Sequence, residues 1–458
     1  MSLKNFQVRS DQPISEALEQ IDRNRFGAVF VVDNDGKVIG VATDGDIRRC
    51  LLRKHSLQSP ISIAMNTEFV SAPEGAAREH ILKMLDHQIR LVPILTENRR
   101  LVEVVSREVF PLRRESSIVA RAKAPVRVSF GGGGTDLTHY FVENGGAVLN
   151  STIALYTHST LRKRADPRIR LISRDLGVTE EFSSLASLAQ YRGVLGLIVS
   201  LIGLIQPSFG FELEVFSDVR PGSGLGGSSV LLAAIIGCFN QFREDRWDNY
   251  EMAEIAFQAE RLTLNIAGGW QDQYATIFGG FNFMEFTHES NVVHPLRIQP
   301  EIISELEENL ILCNIGGFHQ SGAVHDDQKK KFANDEKIQE LVETNKRITY
   351  RQKTFLLKGM LTEFGKSLHE TWGLKRQFSE KISNDRIDSI YEQARSAGAL
   401  GGKLLGAGGG GYFLFYARPF ERWGVEGALR DLGLAPQPIR FEDQGLRVWT
   451  VRDEGAEE

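Results

Sequence analysis

The sequence has 458 residues, more than one hydrophobic core usually organises, so it predicts two or three domains. Its formal net charge of −5 argues against a nucleic-acid partner, because such a protein needs a basic face. Three cysteines without a CxxC pair, Cys50, Cys238 and Cys313, are typical of neither a zinc site nor a disulfide framework. Residues 1–20 lack a signal-peptide pattern, and the apolar segment 193–206 is too short to span a bilayer. We therefore expect a buried helix there and a soluble, cytoplasmic protein without a membrane partner.

Residues 1–115 contain an imperfect internal repeat. Pro13 in QPISEALEQI recurs sixty positions later as Pro73 in APEGAAREHI. Each copy predicts a helix, two strands and a second helix, with Asp35-Gly36 at the hairpin turn of the first copy. The four strands are predicted at 28–33, 38–43, 90–96 and 101–106. Neither copy is large enough to bury its own core, so we expect the two to pack into one small α/β domain.

This region resembles a pair of CBS modules over nearly all of its length, most clearly in GVATDGDIRR (40–49). The resemblance implies that Thr43 and Asp46 hold the ribose of a bound AMP, ADP or ATP, since a carboxylate can accept two hydroxyl hydrogen bonds. In the second copy Ser106 stands for the threonine, but Val109 replaces the aspartate. At most one nucleotide site is therefore expected. The alternative is a dimerising or docking module without a ligand, and a homodimer through this module is the corresponding expectation for a partner.

From Ile118 onward, after a short charged linker at 113–117, the sequence predicts a larger domain without a repeat. Apolar runs of strand length alternate there with longer helical patterns. Strands are predicted at 126–130, 211–216, 310–315 and 412–417, and helices at 230–242 and 250–264. A charged helical segment at 326–355 predicts a solvated face rather than a binding patch.

Three glycine-rich segments border apolar strands of this region: GGGGTD (131–136), PGSGLGGSS (221–229) and GAGGGG (406–411). Taken singly, each is as typical of a turn as of a loop that approaches a ligand. Segment 221–229 carries the strongest signal, because a helix follows it, and the free amides and dipole of a helix start attract phosphate. It lacks GxxxxGK[ST], so positive charge must come from Mg²⁺ and from a distant cation.

The middle loop resembles the PxxxGLGSS signature of the GHMP kinases, the galactokinase and mevalonate kinase superfamily. RVSFGGGGTD (127–136) and GAGGGG resemble the first and third motifs of that family, and together the motifs cover roughly residues 118–458. The resemblance implies an ATP- and Mg²⁺-dependent kinase with an α+β, two-lobed fold. We expect an S5-like N-terminal lobe at 118–285 and a ferredoxin-like C-terminal lobe at 286–458, preceded by the α/β CBS-pair module.

The resemblance also implies roles for individual residues. Asp272 is expected to be the catalytic base for the acceptor hydroxyl, and Arg127 its partner, although an aspartate here could simply cap a helix. Ser228 and Glu260 are the expected Mg²⁺ ligands, with Ser229 as an alternative. The expected ATP-binding residues are Pro221, Gly222, Ser223, Gly224, Leu225, Gly226, Gly227, Ser228 and Ser229. The expected substrate residues are Asp136, Gly133, Gly134, Thr135, His319, Lys403, Gly408 and Gly409.

The segments GGGGTD, 268–282 and 401–411 look most like the kinases of D-glycero-D-manno-heptose 7-phosphate. That subgroup phosphorylates the anomeric C1 hydroxyl and feeds nucleotide-heptose and surface polysaccharide synthesis. Lys403 and His319 would then hold the substrate phosphate, but family members often carry an arginine where this chain has His319, and imidazole binds phosphate less firmly. Fucose or another hexose is therefore the alternative acceptor. A catalytically idle, nucleotide-sensing regulator is the alternative from a different class.

Overall fold

The computed structural model describes residues 3–85, 89–106, 117–220, 222–317 and 321–453. The chain divides into two compact units, 1–115 and 116–458. Each unit contains both helices and strands. In the described ranges every helix is too short or too polar to cross a membrane.

The first unit is built from short strands and helices. Its strands are β1 (Gln7–Arg9), β2 (Ala28–Val32), β3 (Val38–Thr43), β4 (Ala72–Pro73), β5 (Leu91–Leu95) and β6 (Leu101–Ser106). Its helices are α1 (Ile14–Asn24), α2 (Asp44–Leu52) and α3 (Arg78–Met84), with 3₁₀ turns at Leu3–Phe6 and Ile61–Ile63. The sheets β1-β2-β3 and β4-β5-β6 each join a parallel pair to an antiparallel hairpin. The internal repeat is thereby confirmed, except that the last helix of the second copy would lie outside the described residues.

Local sequence explains the elements of the first copy. Helix α1 buries Ile14, Ala17 and Ile21, which lie on one face at helical spacing. Strand β2 is buried along its whole length and β3 alternates between buried and partly exposed residues, so β2 lies inside the core and β3 at its side. Gly36, with φ at +79°, closes the predicted hairpin between them.

The second unit carries longer strands and more helices. Its strands are β7 (Ser117–Gly131), β8 (Gly146–Lys163), β9 (Ile169–Ser173), β10 (Val178–Phe182), β11 (Phe211–Ser217), β12 (Phe281–Phe286), β13 (Asn291–Pro295), β14 (Leu310–Gly316), β15 (Ala399–Leu404), β16 (Gly411–Ala417), β17 (Ala435–Pro438) and β18 (Arg447–Asp453). Its helices are α4 (Thr138–Asn144), α5 (Leu185–Leu188), α6 (Gly196–Ile205), α7 (Gly227–Asn240), α8 (Asn249–Phe257), α9 (Gln271–Phe278), α10 (Pro300–Asn309), α11 (Ser321–Asn334), α12 (Glu336–Leu357), α13 (Leu361–Lys375), α14 (Asp385–Ser396) and α15 (Arg422–Asp431).

Two sheets organise this unit. The larger has the order β10-β9-β11-β8-β12-β13, and β7 pairs with both β8 and the C-terminal strand β18. The smaller is antiparallel, with the order β15-β16-β14-β17. This mixture of helices and strands confirms the predicted α+β class. The boundary at 285 between the lobes stays a prediction, and both β13 and β18, which follow it, belong to the larger sheet.

Helix α7 is buried along most of its length. It runs from Gly227 to Asn240, three residues ahead of the predicted start, and its apolar residues from Val230 to Phe239 are buried except for the partly buried Leu231. Burial on all sides fixes the helix axis, and the N-terminal amides are then held in one place. The glycine-rich loop before it is thereby anchored at its far end.

Two predicted helices differ from the structure in a way that matters for the site. The helix predicted at 250–264 is α8 followed by a π-helical segment, Gln258–Thr263. The charged helix predicted at 326–355 is two helices, because Asp335 caps α12 by accepting from the amide of Lys337 at 2.9 Å. The π-helical segment after α8 is the more informative difference, because π-helical insertions occur frequently at functional sites.

Candidate active site

A cavity of about 870 Å³ lies where the three glycine-rich segments meet. Gly133, Gly134 and Asp136 come from the first segment, and Gly406 and Ala407 from the third. The middle segment contributes Gly222, Ser223, Gly224, Gly226, Gly227, Ser228 and Ser229. Charged side chains from outside the loops complete the wall: Arg127, Glu260, Arg261, Asp272, Asp326 and Lys375.

The second and third loops contact each other through their backbones. A Cβ on Gly406 would lie 2.6 Å from the Cα of Gly224, and a Cβ on Gly224 would lie 2.8 Å from the carbonyl oxygen of Leu405. Gly224 also has φ at +80°, which disfavours other residues. Glycine is therefore required here by packing as well as by conformation, and the loops form one wall of the cavity.

The start of α7 presents free amides to this cavity. Gly226, with φ at +82°, precedes the helix. The first helical hydrogen bond runs from the amide of Val230 to the carbonyl of Gly226. The amides of Gly227, Ser228 and Ser229 therefore have no acceptor within the helix. Free amides at the positive end of a helix dipole can bind phosphate oxygens.

Arg127 and Asp272 form a bidentate ion pair in the cavity wall. Nε and Nη2 of Arg127 donate to the two carboxylate oxygens of Asp272 at 2.7 and 2.8 Å, and Nη1 donates to the carbonyl of Gly224 at 2.7 Å. Their side chains are 4% and 16% exposed. Strand β7, helix α9 and the middle loop are thus joined at one guanidinium, and the part-exposed carboxylate faces the cavity.

Asp136 is held beside this pair. Its oxygens accept from the amides of Gly134 at 3.1 Å and Gln271 at 3.3 Å. Burial, and then the charge of Asp272, raise the pKa of Asp136. Gly269 leaves it room, since a Cβ there would lie 1.8 Å from Oδ2 of Asp136. Two carboxylates therefore reach the cavity side by side.

Glu260 meets a serine hydroxyl on the opposite side of the middle loop. Its Oε2 accepts from Ser229 Oγ at 2.9 Å and from Gln273 Nε2 at 3.0 Å. Burial raises the pKa of Glu260, against the lowering effect of Arg261. Ser228, the other predicted metal ligand, is exposed at the cavity rim. The structure thus places the alternative ligand, Ser229, next to Glu260.

This donor set fits a magnesium ion. A buried carboxylate with a raised pKa and an adjacent hydroxyl is stabilised by a hard cation. No cluster of three or more His, Cys, Asp or Glu side chains able to hold a metal occurs among the described residues. Mg²⁺ usually takes one or two protein carboxylates and completes its shell with phosphate and water, so two protein ligands suffice.

Several predicted site residues do not line the cavity. Thr135 is fully buried and its hydroxyl contacts the carbonyls of Gly132 and Ala147. Lys403 is 1% exposed within β15. Leu225 is also buried, and Gly408 and Gly409 pack on Ile382. Pro221 and His319 lie outside the described residues.

Sequence reasoning missed several polar residues of the wall, among them Arg261. Lys375, the last residue of α13, donates to the carbonyls of Leu404 and Gly406 and so holds the third loop. Burial, and then the charge of Arg127, lower the pKa of Lys375 to about 8. His325 and Gln328 reach the cavity from α11, inside or next to the segment predicted to be solvated. Burial, and then Arg261, lower the pKa of His325 to about 4, so its imidazole is neutral.

The fold and this cavity together are suited to phosphoryl transfer, because a helix start that can bind phosphates lies beside a carboxylate and a buried cation. Family models agree with that reading. The GHMP kinases N terminal domain matches residues 192–280, the GHMP kinases C terminal domain matches 353–421, and the CBS domain matches 1–53 and 61–108.

Individual relatives cover most of the second unit. The D-glycero-alpha-D-manno-heptose 7-phosphate kinase of Campylobacter jejuni is 37% identical over 337 residues, which are 72% of this chain and 99% of that relative. The L-fucokinase/L-fucose-1-P guanylyltransferase of Bacteroides fragilis is 27% identical over 66% of this chain and 35% of its own length. A solved D-glycero-D-manno-heptose 1-phosphate kinase from Bacteroides thetaiotaomicron superposes with a TM-score of 0.61 at 29% identity, over 73% of this chain and all of that one.

The chain belongs to the GHMP kinases and carries a CBS domain at its N-terminus. The predicted family, fold class and enzyme class, an ATP-dependent kinase, are thereby confirmed.

The depressed pKa of Lys375 predicts a pH dependence. Above about pH 8 the ammonium of Lys375 is deprotonated, so the third loop loses one hydrogen-bond donor and the wall loses a positive charge. The value of kcat/KM for ATP should therefore fall as pH rises through about 8. Lys375→Arg keeps its charge and should move the fall to higher pH, whereas Lys375→Met should abolish the inflection. Lys366→Arg, an exposed change on the same helix, is the control. A Lys375→Arg profile that falls at the wild-type pH would contradict this role.

Proposed function

We propose that this kinase transfers the γ-phosphate of ATP to the anomeric C1 hydroxyl of D-glycero-D-manno-heptose 7-phosphate. The observation that carries the proposal is the Arg127–Asp272 ion pair, which lies beside Asp136 and the start of α7 in one cavity. The 37% identical heptose phosphate kinase, which the chain covers almost completely, supports the choice of sugar. The product would feed nucleotide-heptose synthesis for surface polysaccharides in the cytoplasm.

The geometry suggests how the residues act. A carboxylate oxygen of Asp272 accepts the proton of the acceptor hydroxyl as that oxygen attacks the γ-phosphorus, and ADP leaves with the electron pair of the broken bond. Arg127 holds both carboxylate oxygens of Asp272 through two charged hydrogen bonds, so the orientation of the base in the cavity wall is fixed. Asp136 accepts hydrogen bonds from other sugar hydroxyls and orients the ring against Asp272.

The phosphates of ATP have a matching surface. The glycines of 222–227 let the backbone approach phosphate oxygens, and the free amides of α7 bind them. Glu260 with Ser229, or Ser228 from the rim, would hold Mg²⁺. When bound, Mg²⁺ supplies the positive charge that a loop lysine supplies in other nucleotide-binding loops. Lys375 and Arg127 add fixed positive charge to the same wall.

A free sugar is the second candidate acceptor. Two relatives carry fucokinase activity in their names, the Bacteroides fragilis protein and a bifunctional fucokinase/GDP-fucose pyrophosphorylase of Arabidopsis thaliana that is 28% identical. Both match over 66% of this chain. The acceptor panel below separates the two candidates.

Asp272→Asn is the test of the proposed base. With ATP and Mg²⁺, wild-type protein should form ADP with heptose 7-phosphate but little with free heptose, fucose or galactose. Asp272→Asn should lower kcat by about 10²–10⁴-fold with a small change in KM for ATP, because the amide cannot accept the proton. Thermal unfolding measures separately the cost of leaving the buried Arg127 without its carboxylate. Asp245→Asn, an exposed carboxylate in the same unit, is the control. Unchanged turnover of Asp272→Asn would show that another group is the base.

Glu260→Gln tests the magnesium site. Even groups that only support a metal ligand typically contribute 10–100-fold to metal affinity, so removing a ligand charge should raise the Mg²⁺ concentration for half-maximal activity by at least about tenfold. Steady-state rates over a Mg²⁺ titration at saturating ATP measure this. Glu254→Gln, an exposed glutamate six residues earlier, is the matched control. Equal Mg²⁺ dependence in wild type and Glu260→Gln would exclude Glu260 as a ligand.

The CBS domain is proposed to bind an adenine nucleotide through Thr43 and Asp46. These residues form a capping box at the start of α2: Thr43 Oγ1 donates to Asp46 Oδ2 at 2.6 Å and accepts from the Asp46 amide at 3.2 Å. Arg49 Nη2 also donates to Asp46. A ribose would share this carboxylate with the helix cap, so weak binding is expected.

Calorimetric titration of the full chain with AMP tests the nucleotide site. Binding heat should appear in wild type and in Asp44→Asn, whose carboxylate is exposed on the same helix, and should vanish in Asp46→Ala. Thermal unfolding verifies that Asp46→Ala still folds without its capping box. Absence of heat at millimolar AMP would favour the alternative, a CBS domain that only docks or dimerises.

A further inference from the structure

Arg261 is a cavity residue that the proposed chemistry leaves without a role. It follows Glu260 in the π-helical segment, and its side chain is only 11% exposed. The guanidinium lies flat on Gly268, where a Cβ would be 2.3 Å from Cζ and 2.5 and 2.6 Å from the two terminal nitrogens. Glycine at 268 therefore creates the space that this cation occupies.

The donors of Arg261 are poorly used. Its Nη1 lies 3.3 Å from Glu260 Oε1, and its Nε is buried without an acceptor among the described residues. The other two cations of the wall have acceptors for more of their donors, since Arg127 donates three hydrogen bonds and Lys375 donates to two carbonyls. A buried charged donor without an acceptor is costly, so this guanidinium is suited to an anion that enters the cavity.

The position of Arg261 relates it to the acceptor side of the cavity. Gly268 packs on the guanidinium and the next residue, Gly269, packs on Asp136, and consecutive Cα atoms are about 3.8 Å apart. Two consecutive glycines therefore contact the guanidinium of Arg261 and the carboxylate of Asp136, which is proposed to bind sugar hydroxyls. A molecule that carries both hydroxyls and a phosphate matches this pair of surfaces.

Helix α11 places an uncharged imidazole near Arg261. His325 lines the cavity, and its Nδ1 lies 3.3 Å from Oε1 of Gln328. Burial and the nearby Arg261 depress the pKa of His325, so the uncharged imidazole neither repels the guanidinium nor competes for its anion. An amide oxygen only accepts, so the single N–H of the neutral imidazole is at Nδ1 and donates to Gln328. His325 therefore has no N–H left for a phosphate, and the donors for an entering anion come from Arg261.

We infer that Arg261 binds the phosphate of the acceptor sugar and selects the phosphorylated sugar over its free form. The inference rests on the proposed function, a sugar acceptor held by Asp136 and Asp272. It moves the phosphate contact from Lys403, which does not line the cavity, to a guanidinium whose planar fork suits a phosphate.

The test compares one sugar with and without its phosphate: heptose 7-phosphate and free heptose, with wild type, Arg261→Gln, Arg261→Lys and the exposed control Arg174→Gln. Arg261→Gln should lower kcat/KM for heptose 7-phosphate by between about tenfold and a hundredfold, mainly through KM, and leave the value for free heptose within about twofold. Arg261→Lys should lie in between, and the control should match wild type.

Two outcomes would overturn the inference. Equal losses with both sugars, together with a higher Mg²⁺ requirement, would mean that Arg261 acts through Glu260. An unchanged preference for the phosphorylated sugar would mean that another group binds its phosphate.

If wild type turned over neither sugar, the proposed function would fail separately, and calorimetry would still decide the inference. Binding of heptose 7-phosphate that is weakened in Arg261→Gln would support it, and equal or absent binding in both proteins would contradict it. ATP binding to each variant shows that the site has folded.

Discussion

The two charged hydrogen bonds between Arg127 and Asp272 are the constraint on which the rest of the kinase site depends. One guanidinium joins β7, α9 and the middle glycine loop, because its third donor binds the carbonyl of Gly224. Loss of either partner would leave a buried charge uncompensated, which costs several kcal/mol in proteins. The pair also leaves little space around it: a Cβ on Gly226 would lie 3.3 Å from Asp272 Oδ2. The ion pair therefore leaves little room for a side chain at Gly226, apart from any requirement that a bound nucleotide adds.

A second level of organisation comes from backbone contacts between the loops. Gly411 packs on the carbonyl of Ser223, and Gly406 on Gly224, so that side chains on either loop would separate them. Lys375 closes this arrangement from α13 with hydrogen bonds to Leu404 and Gly406. The wall formed by the second and third loops is therefore rigid, because the loops contact each other through backbone atoms. Arg127 from β7 and Lys375 from α13 supply its positive charge. Such a wall is preorganised for phosphoryl transfer, in which positioning and electrostatics contribute most of the catalysis.

The sequence predicted those parts of the site that lie in contiguous motifs. Arg127, Asp136 and Asp272 border glycine runs, and the glycines themselves mark close backbone approach. The missed residues, Lys375 and His325, reach the cavity from helices, where single polar residues resemble a solvated face. Arg261 was missed for another reason: its direction depends on a π-helical hydrogen-bond register that apolar periodicity does not encode. Lys403 was predicted at the site because it lies near a glycine run, yet its side chain is buried within the sheet and does not line the cavity.

The central claim is that this chain, a GHMP kinase with a CBS domain, phosphorylates the anomeric hydroxyl of a sugar that already carries a phosphate. The most direct measurement is phosphorus–proton correlation NMR of the product formed from ATP and heptose 7-phosphate. The account predicts a second phosphorus signal that couples to the anomeric proton, with one ADP formed for each sugar. A product phosphorylated at any other hydroxyl, or ADP formed without a phosphorylated sugar, would contradict it.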